Sequence, residues 1–579
     1  MQTLVHFLET ELKRAFKKAF ELEREMEIVP CESEQFGHYQ CNSALKFSKE
    51  LKKNPREISQ KIIEHLSPQL RSQCSKIEIA GPGFINFTFS APFLSEQMQA
   101  QIQDRLLGVP IPQKKQKIVI DFSSPNIAKE LHVGHLRSTI IGDSIARLFE
   151  FLGHDVLRLN HVGDWGTQFG MLIAYMKKWA PGVIAGEKTT DLDSLMNWYR
   201  LAKKSFDEDP IFQKTAKEEV LKLQSGDPLS RKIWNLICDI SRKGFQEIYD
   251  LLHIEIIERG ESFYNPALQN VVHELDQKGL VTVSDGAKCI FLDQFKNREG
   301  EPFPLIIQKT DGGFNYDTTD MAAIRHRIFE EKADRIIYVT DNGQSLHFQL
   351  IFAAAEKAGW LKPEKPRVDH VGFGLVLGAD GKKFKTRSGD TEKLIDLLTE
   401  SIDRAKVVLQ EKRENVAEKE LDHLANVIGI DAVKYADLST HRTKDYTFSY
   451  DRMLRFEGNT AVFLLYSYVR INGIKRKTKS DIQQILATSH VHITHPSEIS
   501  LALHLRRFGE IIERISFDLL PNHLAEYLYI LAEKFNAFFR DCRVEGSEEE
   551  NSRLIVCELT ACVLKQGLEI LGLEVVDRM

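Results

Sequence analysis

Apolar residues at the start of the chain recur at helical intervals, with Leu4, Phe7, Leu8, Leu12 and Phe16 on one face. Further on the period shortens to two. Ile77 and Ile79, then Ile85, Phe87 and Phe89, alternate around Gly81-Pro82-Gly83 and predict strand, turn and strand. A polar basic stretch, PQKKQK, reads as a linker into the run Ile118 to Phe122, continuous in the way of a buried parallel strand. Leu136, Ile140, Ile141, Ile145, Leu148, Phe149 and Leu152 return to helical spacing, closing near Gly153, and HDVLRLNHV gives the next strand. Strand, turn, helix and strand open an α/β nucleotide-binding fold. Residues 180–255 are charged and largely helical; strand-like runs return at 289–292, 304–308, 335–340 and 371–377. Beyond 390 the pattern is helical to the end, as in Leu524, Leu528, Leu531, Phe535 and Phe538 behind Pro521. The expected layout is multidomain: an α+β domain over 1–112 and a Rossmann-like α/β core over 113–390, with a mainly helical insertion at about 180–255. A helical connecting region over 391–455 and an all-α domain over 456–579 complete it.

Composition narrows this only in part. At 579 residues the chain is too long for one core. No window of about 18 apolar residues calls for a membrane span. Glu9 and Glu11 argue against a transit peptide, so a mature cytoplasmic start is expected. The eight cysteines stand singly, without a CxxC pair, and no structural zinc or other bound metal is expected. A net charge of −6 excludes a chain that is basic throughout, while leaving room for local basic patches.

Candidate chemistry concentrates in SSPNIAKELHVGH, residues 123–135, between the first core strand and its helix. A helix N-terminus offers free N–H groups and a positive dipole end, which suits a triphosphate. His132 and His135 share a helical face and can donate hydrogen bonds to charge developing on an α-phosphate. Gly134 lets adenine or ribose approach the backbone, and Lys129 can reach the β and γ phosphates. The same histidine spacing also serves surface residues and metal ligands; the position after a buried strand is what favours ATP. A second stretch, LGADGKKFKTRSGDT at 377–391, supplies Lys382, Lys383, Lys385 and Arg387 for a departing pyrophosphate. Taken by itself it is also a plain solvated basic turn.

These two stretches resemble the HIGH and KMSKS signatures of class I aminoacyl-tRNA synthetases, as HVGH at 132–135 and FKTRS at 384–388. NHVGDWGTQFG (160–170), DGGFNYDTTDMAAI (311–324) and TDNGQSLHFQ (340–349) are similar to arginyl-tRNA synthetases specifically, and the likeness runs in order along essentially the whole chain. It implies an arginine–tRNA ligase working through arginyl-adenylate on ATP with Mg²⁺, L-arginine and tRNA(Arg), as a monomer. It also implies ATP contacts from Pro125, Asn126, His132, Gly134, His135, Lys383 and Lys385, and catalytic roles for Lys129, His132, His135, Lys385 and Arg387. Ser124, Asn126, Lys129 and His135 would hold the amino and carboxylate ends of arginine, with Glu261, Tyr316, Asp320 and Gln344 around its guanidinium. The second signature departs from its pattern at Phe384 and Arg387, and Lys129 is the residue the resemblance offers in compensation.

The residue types agree with such a substrate. A guanidinium is planar and permanently charged, and a carboxylate holds it best by accepting two parallel hydrogen bonds. If FNYDTTDMAAI opens a helix, Tyr316 and Asp320 share a face. The plainer alternatives are that Asp317 or Asp320 caps that helix and that Trp165 is core. In the tail, Phe463, Tyr466, Arg470, Lys475, Arg476 and Lys477 combine aromatics and cations as unpaired RNA loops require, or else form a helix with a solvated basic end. The resemblance assigns this region to an anticodon-binding domain, and FGHYQCNSA with IAGPGFINF to a domain contacting the outer tRNA corner. Rival readings are a glutamyl or cysteinyl synthetase, a small-molecule nucleotidylyltransferase, and a non-catalytic RNA-binding paralogue.

Overall fold

The run at 118–122 becomes the centre of a sheet because its side chains are apolar on both faces: Ile118, Val119 and Ile120 have no exposed surface. The computed structural model describes residues 1–296, 300–362, 365–378, 380–382, 393–412 and 417–579. The core elements are β1 (Lys117–Asp121), α1 (Val133–Phe151), β2 (Asp155–Asn160), β3 (Ile257–Glu258), α2 (Tyr316–Phe329), β4 (Arg335–Asp341), α3 (Ser345–Lys357) and β5 (Arg367–Phe373). The five strands lie in the order β5-β4-β1-β2-β3, all parallel. Strand order therefore reverses at β1, and the crevice outside the carboxyl ends of β1 and β4 is where such sheets take ligands.

The turn from β1 into α1 is strained. Ser123, Ser124 and Ala128 hold φ of 69°, 48° and 60°, in the left-handed region that residues with a Cβ seldom enter. Hydrogen bonds fix it: Ser123 N donates to Ser138 Oγ at 2.9 Å, Ser124 N to Asn160 Oδ1 at 2.9 Å, and Ala128 N to Ser241 Oγ at 3.0 Å. Helix α1 then crosses Phe122 so closely that a Cβ on Gly142 would fall 2.3 Å from the ring's Cγ.

The runs at 289–292 and 304–308 belong to a separate antiparallel sheet of Thr282–Ser284, Ala287–Lys296 and Pro302–Gln308. Its Ile290, Leu292, Leu305 and Ile307 share one core with Met321 and Ile324 of α2 and Ile351 of α3. Packing on that sheet is what fixes α2 beside the crevice.

The chain divides into two compact units, one of Lys114–Arg452 and one of Met1–Gln113 together with Met453–Met579. In the second, Leu4, Leu8, Leu12 and Phe16 of the first helix are buried. Cys74–Ala80 and Phe84–Phe89 pair with Ile77 opposite Phe87 and Ile79 opposite Ile85, in a four-stranded antiparallel sheet. Gly81 and Gly83 make the turn at φ of 50° and 130°. The remainder is helical, with Leu524, Leu528, Leu531, Phe535 and Phe538 buried along Asn522–Asp541. Tyr39 OH donates to Glu510 Oε1 at 2.7 Å, Gln101 Nε2 to the Leu505 carbonyl at 2.8 Å, and Ile493 N to Ser95 Oγ at 3.2 Å. Among the described residues no helix is long and apolar enough to cross a membrane.

Candidate active site

Helix α1 is capped by the two histidines themselves. Gly134 N donates to His132 Nδ1 at 3.0 Å and His132 N to His135 Nδ1 at 3.1 Å, a reciprocal pair that satisfies two backbone donors at the helix start. With each Nδ1 an acceptor, the ring proton of a neutral imidazole sits on Nε2. The rings lie 4.0 Å apart between centroids. Burial, followed by the nearby charges of His132 and Lys129, pushes His135 down to about 3, so it is a neutral donor at physiological pH. A Cβ on Gly134 would fall 2.9 Å from Cε1 of His132, so the glycine makes room for the capping ring. Lys129 is exposed.

Ser124, His161 and Glu261 follow the carboxyl ends of β1, β2 and β3. Ser124, after β1, donates through Oγ to Asp121 Oδ1 at 2.9 Å and accepts from His161 N, just beyond β2, at 3.2 Å. Buried Pro125 and exposed Asn126 run beside Gly163, where a Cβ would fall 2.2 Å from Asn126 Oδ1. Glu261 follows β3. Burial, then the charges of Asp320 and Asp164, push its carboxyl up to about 8 against a hydrogen bond from the Trp165 backbone. Asp164 is itself buried and accepts from Ser262 N and Oγ at 2.7 and 2.5 Å.

Helix α2 brings Tyr316 and Asp320 together as the four-residue spacing requires. Its cap is Asn315, whose Oδ1 accepts from Thr318 N at 3.4 Å, so neither aspartate serves as the cap. Asp320 Oδ2 lies 2.6 Å from His347 Nε2, in the first turn of α3, and Oδ1 lies 3.8 Å from His161 Nε2. The other nitrogen of His347 is 3.3 Å from Asp317 Oδ1. Burial opposes the charge on His347, but hydrogen bonds and charges from Asp317 and Asp320 outweigh it and raise the ring to about 9. Tyr316 meets the His347 ring edge-on at 5.1 Å and is otherwise 61% exposed. Gln344 is exposed and turned to Asp341, with its Nε2 at 3.4 Å from Oδ2. Trp165 is half-buried, its ring 6.0 Å from that of Trp234. Sequence reading missed His161 and His347 and weighed Asp317 only as a cap, although all three lie inside segments singled out for other residues.

Lys383, Lys385 and Arg387 lie outside the described residues. Just beyond them, Lys393 Nζ is 2.6 Å from both Glu130 Oε1 and Asp193 Oδ1, and Leu394 N donates to the Leu131 carbonyl at 2.9 Å. Among the described residues no group of three His, Cys, Asp or Glu side chains is arranged to hold a metal ion.

The tail candidates lie on one helix, Ala461–Thr478, and divide between two of its faces. Phe463, Tyr466 and Arg470 share the first: the Arg470 guanidinium covers Tyr466 at 4.8 Å and Phe539 at 5.7 Å, and Phe463 packs on Tyr529 at 5.6 Å. On the second, Tyr468, Asn472, Lys475 and Arg476 line a cavity of about 520 Å³ with Asp577 and Arg578. Lys475 is paired there with Glu558 at 2.5 Å. Lys477 is exposed.

Comparison with known proteins identifies the family. The model of the family described as tRNA synthetases class I (R), catalytic domain, matches residues 97–450. The arginyl tRNA synthetase N terminal domain matches 6–89, and the DALR anticodon binding domain 464–579. The chain is 60% identical to an arginine–tRNA ligase of Protochlamydia amoebophila over 100% of both chains, and 52% identical to one of Nostoc over 95% of both. Among solved structures, arginyl-tRNA synthetase from Plasmodium falciparum superposes with a TM-score of 0.88 at 36% identity, covering 100% of each chain. The Thermus thermophilus enzyme superposes at 0.81 over the same extent, and at 23% identity this speaks for the fold. The chain belongs to the arginyl-tRNA synthetases of class I.

Proposed function

We propose that arginine lies across the crevice with its guanidinium at Asp320 and Glu261, beside Tyr316 and Gln344, and its carboxylate toward His132 and His135. The chain is an arginine–tRNA ligase: ATP, L-arginine and tRNA(Arg) give arginyl-tRNA(Arg), AMP and pyrophosphate through arginyl-adenylate. A carboxylate oxygen of arginine attacks the α-phosphorus, the bond to the β-phosphate breaks, and pyrophosphate leaves as its Mg²⁺ complex. The Nε2 donors of His132 and His135, fixed by their backbone bonds, meet the charge that grows on the α-phosphate oxygens. Pro125, Asn126 and Gly134 shape the nucleotide seat. Ser124 and Asn126 orient the amino group of arginine, and Lys129 with Lys383, Lys385 and Arg387 neutralises the leaving group. The 2′-hydroxyl of the terminal ribose then attacks the adenylate carbonyl, loses its proton, and expels AMP. Residues 1–112 and 456–579 grip the tRNA at its outer corner and its anticodon, the latter through Phe463, Tyr466, Arg470, Lys475, Arg476 and Lys477. The enzyme acts as a monomer in the cytoplasm.

The carrying observation is the acidic wall: Asp320 held at 2.6 Å by His347, within electrostatic reach of the half-buried Glu261. Removing one partner of a desolvated carboxylate–guanidinium pair costs about 2–5 kcal/mol, or roughly 30- to several-thousand-fold. Asp320→Asn is therefore expected to raise the arginine KM in pyrophosphate exchange by about that factor, with the ATP KM within about twofold. An unchanged arginine KM overturns the assignment.

A further inference from the structure

We propose that His347 is a positioning residue of the arginine pocket, whose imidazole bridges Asp317 and Asp320 and cancels one of their two charges, so that this pair meets the guanidinium with one net negative charge. The inference rests on Asp320 being the guanidinium acceptor. Asp317, buried in the first turn of α2, and the half-buried Asp320 stand three residues apart on one face of the helix, and like charges so placed repel. The ring spans them, with Nε2 at 2.6 Å from Asp320 Oδ2 and Nδ1 at 3.3 Å from Asp317 Oδ1. Both nitrogens facing carboxylates is the arrangement of an imidazolium, which donates from each. The raised titration of this ring agrees.

The other groups packed around it leave the role to His347. His370, on β5, is pushed down to about 4 by burial, followed by the charge of Arg442, and contributes no cation. His161 faces the second Asp320 oxygen at the longer distance of 3.8 Å. Tyr316 and Phe348 close the ring edge-on at 5.1 and 5.2 Å. Because each carboxylate oxygen has two lone pairs, the bond from His347 fixes the plane of Asp320 without blocking a forked donor.

A charge-matching role predicts sign reversal between two substitutions, which a merely structural role does not. Arginine binding to the full-length protein is measured by titration calorimetry for the parent, Asp317→Asn, His347→Gln and the double variant, with melting curves reporting the fold. Asp317→Asn leaves one carboxylate already paired with a cation, and is expected to weaken arginine about tenfold or more. Adding His347→Gln to it restores a single unpaired carboxylate, and should bring the Kd back to within about threefold of the parent. His347→Gln alone leaves two carboxylates for one guanidinium. Small cations then compete, so its arginine Kd should rise about fivefold between roughly 0.05 and 0.3 M KCl, where the parent changes less than about twofold. A double variant as weak as Asp317→Asn, or His347→Gln with the parent's salt response, overturns the proposal. Either result can coexist with a damaged Asp320→Asn enzyme, whereas an unaffected Asp320→Asn enzyme removes the reading beneath it.

Discussion

Glu261 keeps its proton to about pH 8 because burial and the charges of Asp320 and Asp164 oppose another anion beside them. A guanidinium reverses that balance, so arginine binding near neutrality should release a proton from this carboxyl. Affinity is then expected to rise as pH climbs from about 6 to 8 and to level off above, a slope that Glu261→Gln removes. Calorimetric titrations in buffers of different ionisation enthalpy would check the proton count. The fold carries the matching sign. A carboxyl raised from 4.5 to about 8 binds its proton more tightly in the native protein, so the free enzyme loses stability as pH rises through that window. Glu261→Gln should therefore raise the melting temperature more at pH 8 than at pH 5. At this scale the sequence reveals residues whose partners are close along the chain. Tyr316 and Asp320 are legible from a spacing of four, and the histidine pair from a spacing of three. His347 is not, since its contact with Asp320 spans 27 residues and depends on two helices packing on a sheet the spacing does not specify.

Helix α1 shows how far an element determines chemistry. Its start aims both imidazoles, and its middle is fixed to the end of β1 by contact of Gly142 with Phe122, the residue that follows the strand. Gly142→Ala places a methyl inside that ring, and overpacking of this kind costs about 1–3 kcal/mol. Thermal unfolding is expected to fall by several degrees. kcat should fall with it as the His132 cap shifts, and a variant with parental melting and turnover would show that the contact yields freely. Strand and helix periods went unread for the two-residue β3 and for helix α3, but were readable for β1, α1, β2, β4 and β5, because burial on one or two faces imprints them on the sequence. Which sheet a strand joins was not, and 287–296 and 302–308 look like core strands while pairing elsewhere. The helix at 461–478 makes the same point: residues clustered in sequence part onto two faces. Tyr466→Ala with Arg470→Ala is expected to raise the tRNA KM about tenfold or more, from one lost stacking platform, without changing arginine affinity. An unchanged tRNA KM would move recognition to the other face.

For the whole molecule, a net charge of −6 means that tRNA is held by local basic surface against an unfavourable background. Affinity for tRNA should fall steeply with salt, and Arg476→Ala should reduce the slope of log Kd against log salt by about one if that side chain meets a phosphate. Filter binding between about 0.05 and 0.3 M KCl tests this, and an unaltered slope would exclude Arg476 from the contact. The two compact units carry a consequence of another kind. Residues 114–452 are continuous, but the other unit joins the first 113 residues to the last stretch from Met453. On a ribosome the catalytic unit can therefore close while Tyr39, Ser95 and Gln101 still await Glu510, Ile493 and Leu505. At about 5–20 residues per second that wait lasts tens of seconds, during which the amino-terminal sheet must stay soluble without its cover. A stop codon near residue 452 would strand it there for good.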